Sequence, residues 1–102
     1  MECKRITRVI LPAIRASVAE IMCRKYDYKQ EEVADKLGVV QVAVSKYLNN
    51  RCSRGIECVK GHILKSRLNE SVVESILGGG TREEIDREID ALCDRLVNSN
   101  MA

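Results

Sequence analysis

The feature that most constrains this chain is the spacing of its aliphatic residues, which recur every three or four positions in its apolar segments. The longest example follows three glycines at 78–80, where Thr81 and Glu84 match the T-x-x-E capping box of a helix start. One unbroken stripe then comprises Ile85, Ile89, Leu92, Cys93, Leu96 and Val97. This spacing predicts amphipathic helices. We therefore expect an all-α fold, a compact five-helix domain.

The five helices are predicted from the apolar spacing and from the residues that start or stop a helix. We place them at about 12–24, 30–37, 41–49, 63–77 and 82–97, with a loop over residues 50–61 that leaves room for one helical turn. A break in the fourth helix near Asn69 is possible. Pro12 suits the first turn of the first helix, and Gly38 suits the end of the second.

Composition bounds the class of protein. The chain has 102 residues, which suits one domain, and its 3% aromatic content predicts an aliphatic core. The most apolar stretch near the N-terminus, VILPAIRASVAEIM, contains Arg15 and Glu20, so we expect neither a signal peptide nor a membrane span. Five cysteines form no regular framework, which argues against a secreted disulfide scaffold and favours the cytoplasm.

Charge is distributed unevenly along the chain. Residues 1–69 hold 14 Lys and Arg against 7 Asp and Glu, whereas residues 70–102 hold 3 against 8. This contrast divides the chain into a basic body (1–69) and an acidic helical C-terminal segment (70–102). A basic body suggests an anionic partner, although a solvated surface with chance clustering would give the same count.

The segment QEEVADKLGVVQVAVSKYLNN, residues 30–50, meets the demands of a helix-turn-helix. Ala34 is small enough for two helices to touch, Gly38 allows a sharp turn, and apolar residues on both sides can pin the helices. The outer face of the second helix would then offer Gln41, Val42, Ser45, Lys46 and Asn49. In a DNA major groove, glutamine can bond adenine and valine can touch the thymine methyl group. The alternative is an ordinary helical hairpin with a solvated face.

The same segment resembles the helix-turn-helix of phage-repressor-like regulators, the Cro/repressor class. Its Q-E-x-V-A-x-x-L-G run and the second glutamine, Gln41, carry the resemblance. With LPAIRASVAEIMCRKY before it, the pattern Q-x-x-V-A-x-x-L-G-V-x-Q-x-A-V-S-x-Y-L is similar to predicted archaeal transcription regulators that contain this domain. The resemblance covers residues 10–51. It departs at Lys29 and Val40, where the class often has a capping Ser or Thr.

The resemblance implies a role for each matching position. Gln30 would bond a backbone phosphate, Gln41 and Val42 would read bases, and Ser45, Lys46 and Asn49 match later contact positions. We expect base contacts from Gln41, Val42, Ser45 and Asn49, and phosphate contacts from Lys29, Gln30, Lys46, Arg51 and Arg54. The function expected is that of a sequence-specific, repressor-like transcription regulator that binds a double-stranded DNA operator.

Regulators of this kind commonly dimerise, because one recognition helix reads only a few base pairs. The expected homodimer interface is the stripe on the last helix, at Ile85, Ile89, Leu92 and Leu96. The alternative is that this stripe closes the core of a single chain. Both hold if the last helices of two chains form one shared bundle.

Nothing in the sequence predicts an enzyme. There is no phosphate-binding loop and no nucleophile–base pair, and His62 is the sole histidine. No C-x-x-C pair is present, so neither a metal nor another cofactor is expected. Two alternatives stay open. One is an adaptor or antitoxin-like protein that works through its C-terminal helix, and the other is a regulator switched by oxidation of Cys3, Cys52 or Cys58.

Overall fold

The computed structural model describes residues 6–98, with side chains from residue 8. A π-helical turn, Ile6–Ile10, leads into the first of six α-helices in this range, and the range contains no strand. The helices are α1 (Leu11–Arg24), α2 (Gln30–Leu37), α3 (Gln41–Leu48), α4 (Arg54–Ser66), α5 (Glu70–Leu77) and α6 (Arg82–Asn98). The all-α class is confirmed, but the count of five helices is wrong.

Helix α4 extends into the segment predicted to be a loop, and the break near Asn69 separates it from α5, which gives the sixth helix. Helix α4 begins at Arg54 because Ser53 caps it, its hydroxyl accepting a hydrogen bond from the Ile56 amide at 3.4 Å. Gly55 and Gly61 lie inside α4, where each costs about 1 kcal/mol relative to alanine. The buried face of the helix, which includes Val59 and Ile63, offsets that cost. The two glycines therefore do not stop the helix.

The break near Asn69 is confirmed. Helix α4 ends at Ser66, because Arg67 adopts the left-handed conformation with φ of 56°. Asn69 then begins α5 from a buried position, and its side-chain amide donates to the Ser17 hydroxyl at 3.0 Å. Ser17 in turn donates to the Ile14 carbonyl at 2.7 Å. The buried side chains of Asn69 and Ser17 thus both form hydrogen bonds where the break crosses α1. These bonds offset the cost of burying polar groups.

Helix α1 is the centre of the fold and contacts each of the other five helices. It is buried on most of its surface rather than along one stripe, with Ile14, Val18 and Met22 fully enclosed. Between them lie small buried residues, namely Ala13, Ala16, Ser17 and Ala19. Their size lets the surrounding helices approach the α1 backbone closely. Of the α1 residues only Arg24 is exposed, as expected for a helix that other helices surround.

Helix α6 completes the core. The predicted capping box forms, with the Thr81 amide donating to Glu84 Oε1 at 2.8 Å and the Glu84 amide donating to the Thr81 hydroxyl at 3.1 Å. The stripe residues Ile85, Ile89, Leu92 and Leu96 are between 0% and 3% exposed, and α6 contacts α1, α2 and α5. The stripe thus closes the core of the single chain, as the alternative reading of it held. The homodimer interface predicted on these residues stays a prediction.

The glycines before α6 form a hydrogen-bonded turn. The Gly80 amide donates to the Ser75 carbonyl at 2.8 Å, and the Gly79 amide donates to the Ile76 carbonyl at 3.1 Å. Gly79 needs its φ of 79°, and a Cβ on Gly80 would lie 2.8 Å from the Ser75 carbonyl oxygen. The turn sets the path by which α6 returns to α1. Within residues 6–98, no helix has the length and apolarity that crossing a membrane requires.

Candidate nucleic-acid interface

The candidate site lies on two eight-residue helices, α2 and α3, joined by residues 38–40. Gly38 ends α2 in the left-handed conformation, with φ of 73°, and the Val39 amide donates to the Ala34 carbonyl at 3.0 Å. The two helices contact each other and also α1. Of the residues expected to pin them, Val33, Leu37, Val44 and Tyr47 are buried and Val39 is half-buried. Ala34, expected where the two helices touch, is buried.

The outer face of α3 presents the side chains that the sequence pattern singles out. Gln41, Val42, Lys46 and Asn49 are exposed, and Ser45 is half-buried. Val42 is 70% exposed, as is Val40 just before the helix. A β-branched apolar side chain with that exposure has no role in the packing of the chain. Helical spacing therefore brings the four predicted base-contact residues, Gln41, Val42, Ser45 and Asn49, to one face of α3.

Asn49 differs from the others because its amide is already engaged. The Asn49 side-chain nitrogen donates to the Ser45 carbonyl at 2.9 Å and lies 3.3 Å from the Ser45 hydroxyl. Both acceptors belong to the last turn of the same helix. The side-chain oxygen of Asn49 is therefore the group that can accept from a DNA base. Helical spacing alone would also have counted the Asn49 side-chain nitrogen as a free donor.

The N-terminal ends of the two helices are closed differently. Ahead of α2, the backbone amide of Lys29 donates to Glu32 Oε1 at 2.9 Å, which is the glutamate half of a capping box. The Lys29 side chain cannot accept from the α2 amides as a Ser or Thr would. Ahead of α3, Val40 has an extended backbone and its side chain forms no capping bond. The first turn of α3 therefore begins without a side-chain acceptor for its amides.

The C-terminal end of α3 is closed at every carbonyl of its last turn. Asn50 is left-handed, with φ of 55°, and lets the Arg51 amide donate back to the Lys46 carbonyl at 3.0 Å. Lys60 Nζ lies 2.9 Å from the Tyr47 carbonyl, and Arg24 Nη2 lies 2.9 Å from the Leu48 carbonyl. The Ser45 carbonyl accepts from Asn49. Two cations thus meet the negative end of the α3 dipole.

Lys60 is the residue at the end of α3 that sequence reasoning missed. It is 4% exposed, and its ammonium also lies 2.9 Å from Asn50 Oδ1, 3.0 Å from Glu20 Oε1 and 3.6 Å from Glu57 Oε1. The signal was present, because Lys60 occupies the apolar face of α4 between Ile56 and Ile63. A lone lysine on such a face predicts either snorkelling or a buried ion pair.

The residues predicted to contact phosphate lie on α3 or close to it in the sequence. Lys29 precedes α2, Arg51 follows α3 and Arg54 opens α4, while Lys46 lies on α3 itself. All four are exposed, and none forms an ion pair with another described residue. Gln30 is half-buried at the start of α2. Among the described residues, no carboxylate therefore lies within ion-pair distance of these four cations.

The cysteines of the described range are free thiols. Burial raises the pKa of Cys23, Cys52 and Cys93 above the ordinary thiol value, and the nearby Glu57 carboxylate raises that of Cys52 further. Among residues 8–98, no three His, Cys, Asp or Glu side chains gather closely enough to hold a metal ion. Cys3 lies outside the described residues, so its part in the predicted redox alternative is untested.

Comparison with protein-family models, with curated proteins and with solved structures finds no match to this chain. The resemblance of residues 10–51 to repressor-like regulators consequently stays an interpretation of the sequence pattern.

Proposed function

We propose that this protein is a sequence-specific DNA-binding transcription regulator, and that α2, residues 38–40 and α3 act as a helix-turn-helix with α3 in the major groove. One observation carries the proposal. Helix α3 is tied to the body at its C-terminal end, while its N-terminal end carries exposed Gln41 and Val42 and lacks a side-chain cap. A recognition helix uses its N-terminal residues to reach base edges.

The chemistry of this end suits duplex DNA. Gln41 can bond adenine N6 and N7 together, and Val42 can contact a thymine methyl group. The amides at the uncapped start of α3, apart from that of Ala43, which donates to the Val40 carbonyl, suit phosphate oxygens, as do the side chains of Lys46 and Arg51. The proposed half-site therefore contains A·T pairs opposite the start of α3. The resemblance to repressor-like archaeal regulators favours the same arrangement.

We also propose that the protein acts on DNA as a homodimer, which would present two recognition helices about 34 Å apart. If the α6 stripe forms the interface, two chains must exchange α6, because Ile89 and Leu96 are covered within one chain. Sedimentation equilibrium of the protein, alone and with its duplex, measures the assembly state directly. A monomer in both conditions would contradict the homodimer and leave DNA binding by a single chain intact.

The proposed function is tested by selecting bound duplexes from a random pool and measuring their affinity by fluorescence anisotropy. We expect one sequence to be enriched and its affinity to fall steeply with salt. Gln41→Ala should weaken the selected site by about 1–3 kcal/mol and leave a scrambled duplex unaffected. Without enrichment or salt-dependent binding, the proposal fails and an adaptor becomes the better explanation.

The phosphate contacts are tested by Arg51→Ala, which should weaken both duplexes alike and lower the salt slope by about one unit. Arg87→Ala is the matched control, because Arg87 is exposed on α6 and its loss changes the net charge equally. An equal effect of both substitutions would show that only overall charge matters and would contradict the assignment of Arg51.

A further inference from the structure

Lys60 joins three parts of the fold at one buried ammonium. Its Nζ contacts the Tyr47 carbonyl and Asn50 Oδ1 at the end of α3, and it lies 3.0 Å from Glu20 Oε1 on α1. The first two contacts are hydrogen bonds, whereas Glu20 Oε1 is paired with the ammonium by distance and charge without a hydrogen bond. The fourth oxygen, Glu57 Oε1 at 3.6 Å, belongs to the same helix as Lys60. The end of α3 is thereby fixed to both α1 and α4.

Arg24 adds a second tie that uses the same carboxylate. Its Nε lies 3.0 Å from Glu20 Oε2, and its Nη2 donates to the Leu48 carbonyl at 2.9 Å. Glu20 thus holds two cations, and the two cations hold two successive carbonyls of α3. Arg24 differs from Lys60 in exposure, since its side chain is 60% accessible.

The remaining attachments of α3 are less directional. Only Val44 and Tyr47 of its eight residues are buried, and its N-terminal end has no side-chain cap. Apolar packing is attractive but sets no definite angle, whereas hydrogen bonds to a carbonyl depend on distance and direction. The rotation of α3 about its axis and its position along that axis are therefore set mainly at its C-terminal end.

We infer that Lys60 is a positioning residue for sequence reading, which holds α3 so that Gln41 and Val42 meet the correct bases. This inference rests on the proposed DNA-binding function. Lys60 is buried and does not reach a phosphate, so its contribution is to specificity rather than to electrostatic attraction. A buried lysine thereby determines how the exposed face of α3 is oriented toward the bases.

The test compares Lys60→Met with Lys65→Met, which removes the same charge from an exposed position on the same helix. For each, the affinities for the selected duplex and for a scrambled duplex of equal length are measured over a range of salt. Lys60→Met should lower the ratio of specific to non-specific affinity about tenfold, the size of one lost base contact. Its salt slope should equal that of Lys65→Met, whose affinity ratio should match the wild type.

Folding is checked by circular dichroism at the assay temperature, since an unfolded fraction would lower specific affinity more than electrostatic binding and so imitate the expected result. If Lys60→Met does not fold, Arg24→Met decides the question, because Arg24 is exposed and holds the same helix end. Arg24→Met should then lower the ratio as well. An unchanged ratio in the folded variant overturns the inference. If the wild-type protein binds no duplex, the inference and the proposed function both fail. If the wild-type protein binds selectively and only the ratio of Lys60→Met is unchanged, the inference fails and the proposed function stands.

Discussion

Gly38 gives a direct test of the turn between α2 and α3. Its φ of 73° is the left-handed conformation, which costs an ordinary L-residue about 1–2 kcal/mol. A Cβ at this position would also overlap the guanidinium of Arg82 from the start of α6. That guanidinium ends a flexible, exposed side chain, so moving it is cheap compared with the backbone cost. We therefore expect Gly38→Ala to destabilise the protein by about 1–2 kcal/mol, or roughly 4–16 °C in Tm.

The backbone contribution is isolated by comparing Gly38→Ala with Gly38→Asn. Both substitutions add the same Cβ beside Arg82, but asparagine tolerates the left-handed conformation and alanine does not. Urea unfolding should place Gly38→Asn between the wild type and Gly38→Ala. Arg82→Ala combined with Gly38→Ala should recover little stability. Ordinary surface substitutions change the free energy of unfolding by up to about 0.5 kcal/mol. If Gly38→Ala changes it by no more than that, the left-handed conformation at Gly38 is refuted.

Two further predictions concern α6 and the thiols. Thr81→Ala should lower the free energy of unfolding in urea by about 0.5–2 kcal/mol, because it removes the hydroxyl that accepts from the Glu84 backbone amide. Thr81→Ser keeps a hydroxyl and should cost less. Equal losses for both would contradict the capping role. Burial raises the pKa of the Cys93 thiol in the folded state, so the protonated thiol favours folding. This contribution to the free energy of unfolding is complete below the unfolded-state pKa near 9.0 and is lost as the pH rises above that value toward the folded-state pKa. At pH 8, a disulfide reagent should therefore label exposed Cys58 faster than Cys93, as mass spectrometry would show.

The parts of the fold that sequence predicted well are those in which one local signal decides the outcome. The T-x-x-E box and the stripe from Ile85 to Val97 fix the start and the buried face of α6 without reference to other helices. Gly38 similarly marks the end of α2. The start of α4 was missed because Gly55 and Gly61 suggested a loop, while the burial that overrides them comes from distant elements. Tertiary packing outweighs propensity in such segments.

The candidate site divides in the same way. The exposed face of α3 follows from spacing, so Gln41, Val42 and Lys46 could be named from sequence. The engagement of Asn49 with Ser45 could not, because asparagine at a helix end is compatible with several rotamers. The buried contacts of Lys60 with Glu20 join residues 40 positions apart in the chain, a pairing that no local pattern specifies.

Because α6 completes the core, the acidic third of the chain is not a detachable module. Helix α6 alone buries five side chains, and each of the four aliphatic ones contributes about 1.5–3 kcal/mol on burial, a total comparable with the whole stability of a small domain, about 5–15 kcal/mol. A chain shortened to residues 1–69 would also leave the faces of α1 and α2 that α6 covers open to water. Such a fragment should aggregate when expressed, whatever the function of its basic surface. Insertions and fusions are therefore best placed at exposed turns outside this core, and substitutions on α6 should be costly on its buried face and tolerated on its exposed one.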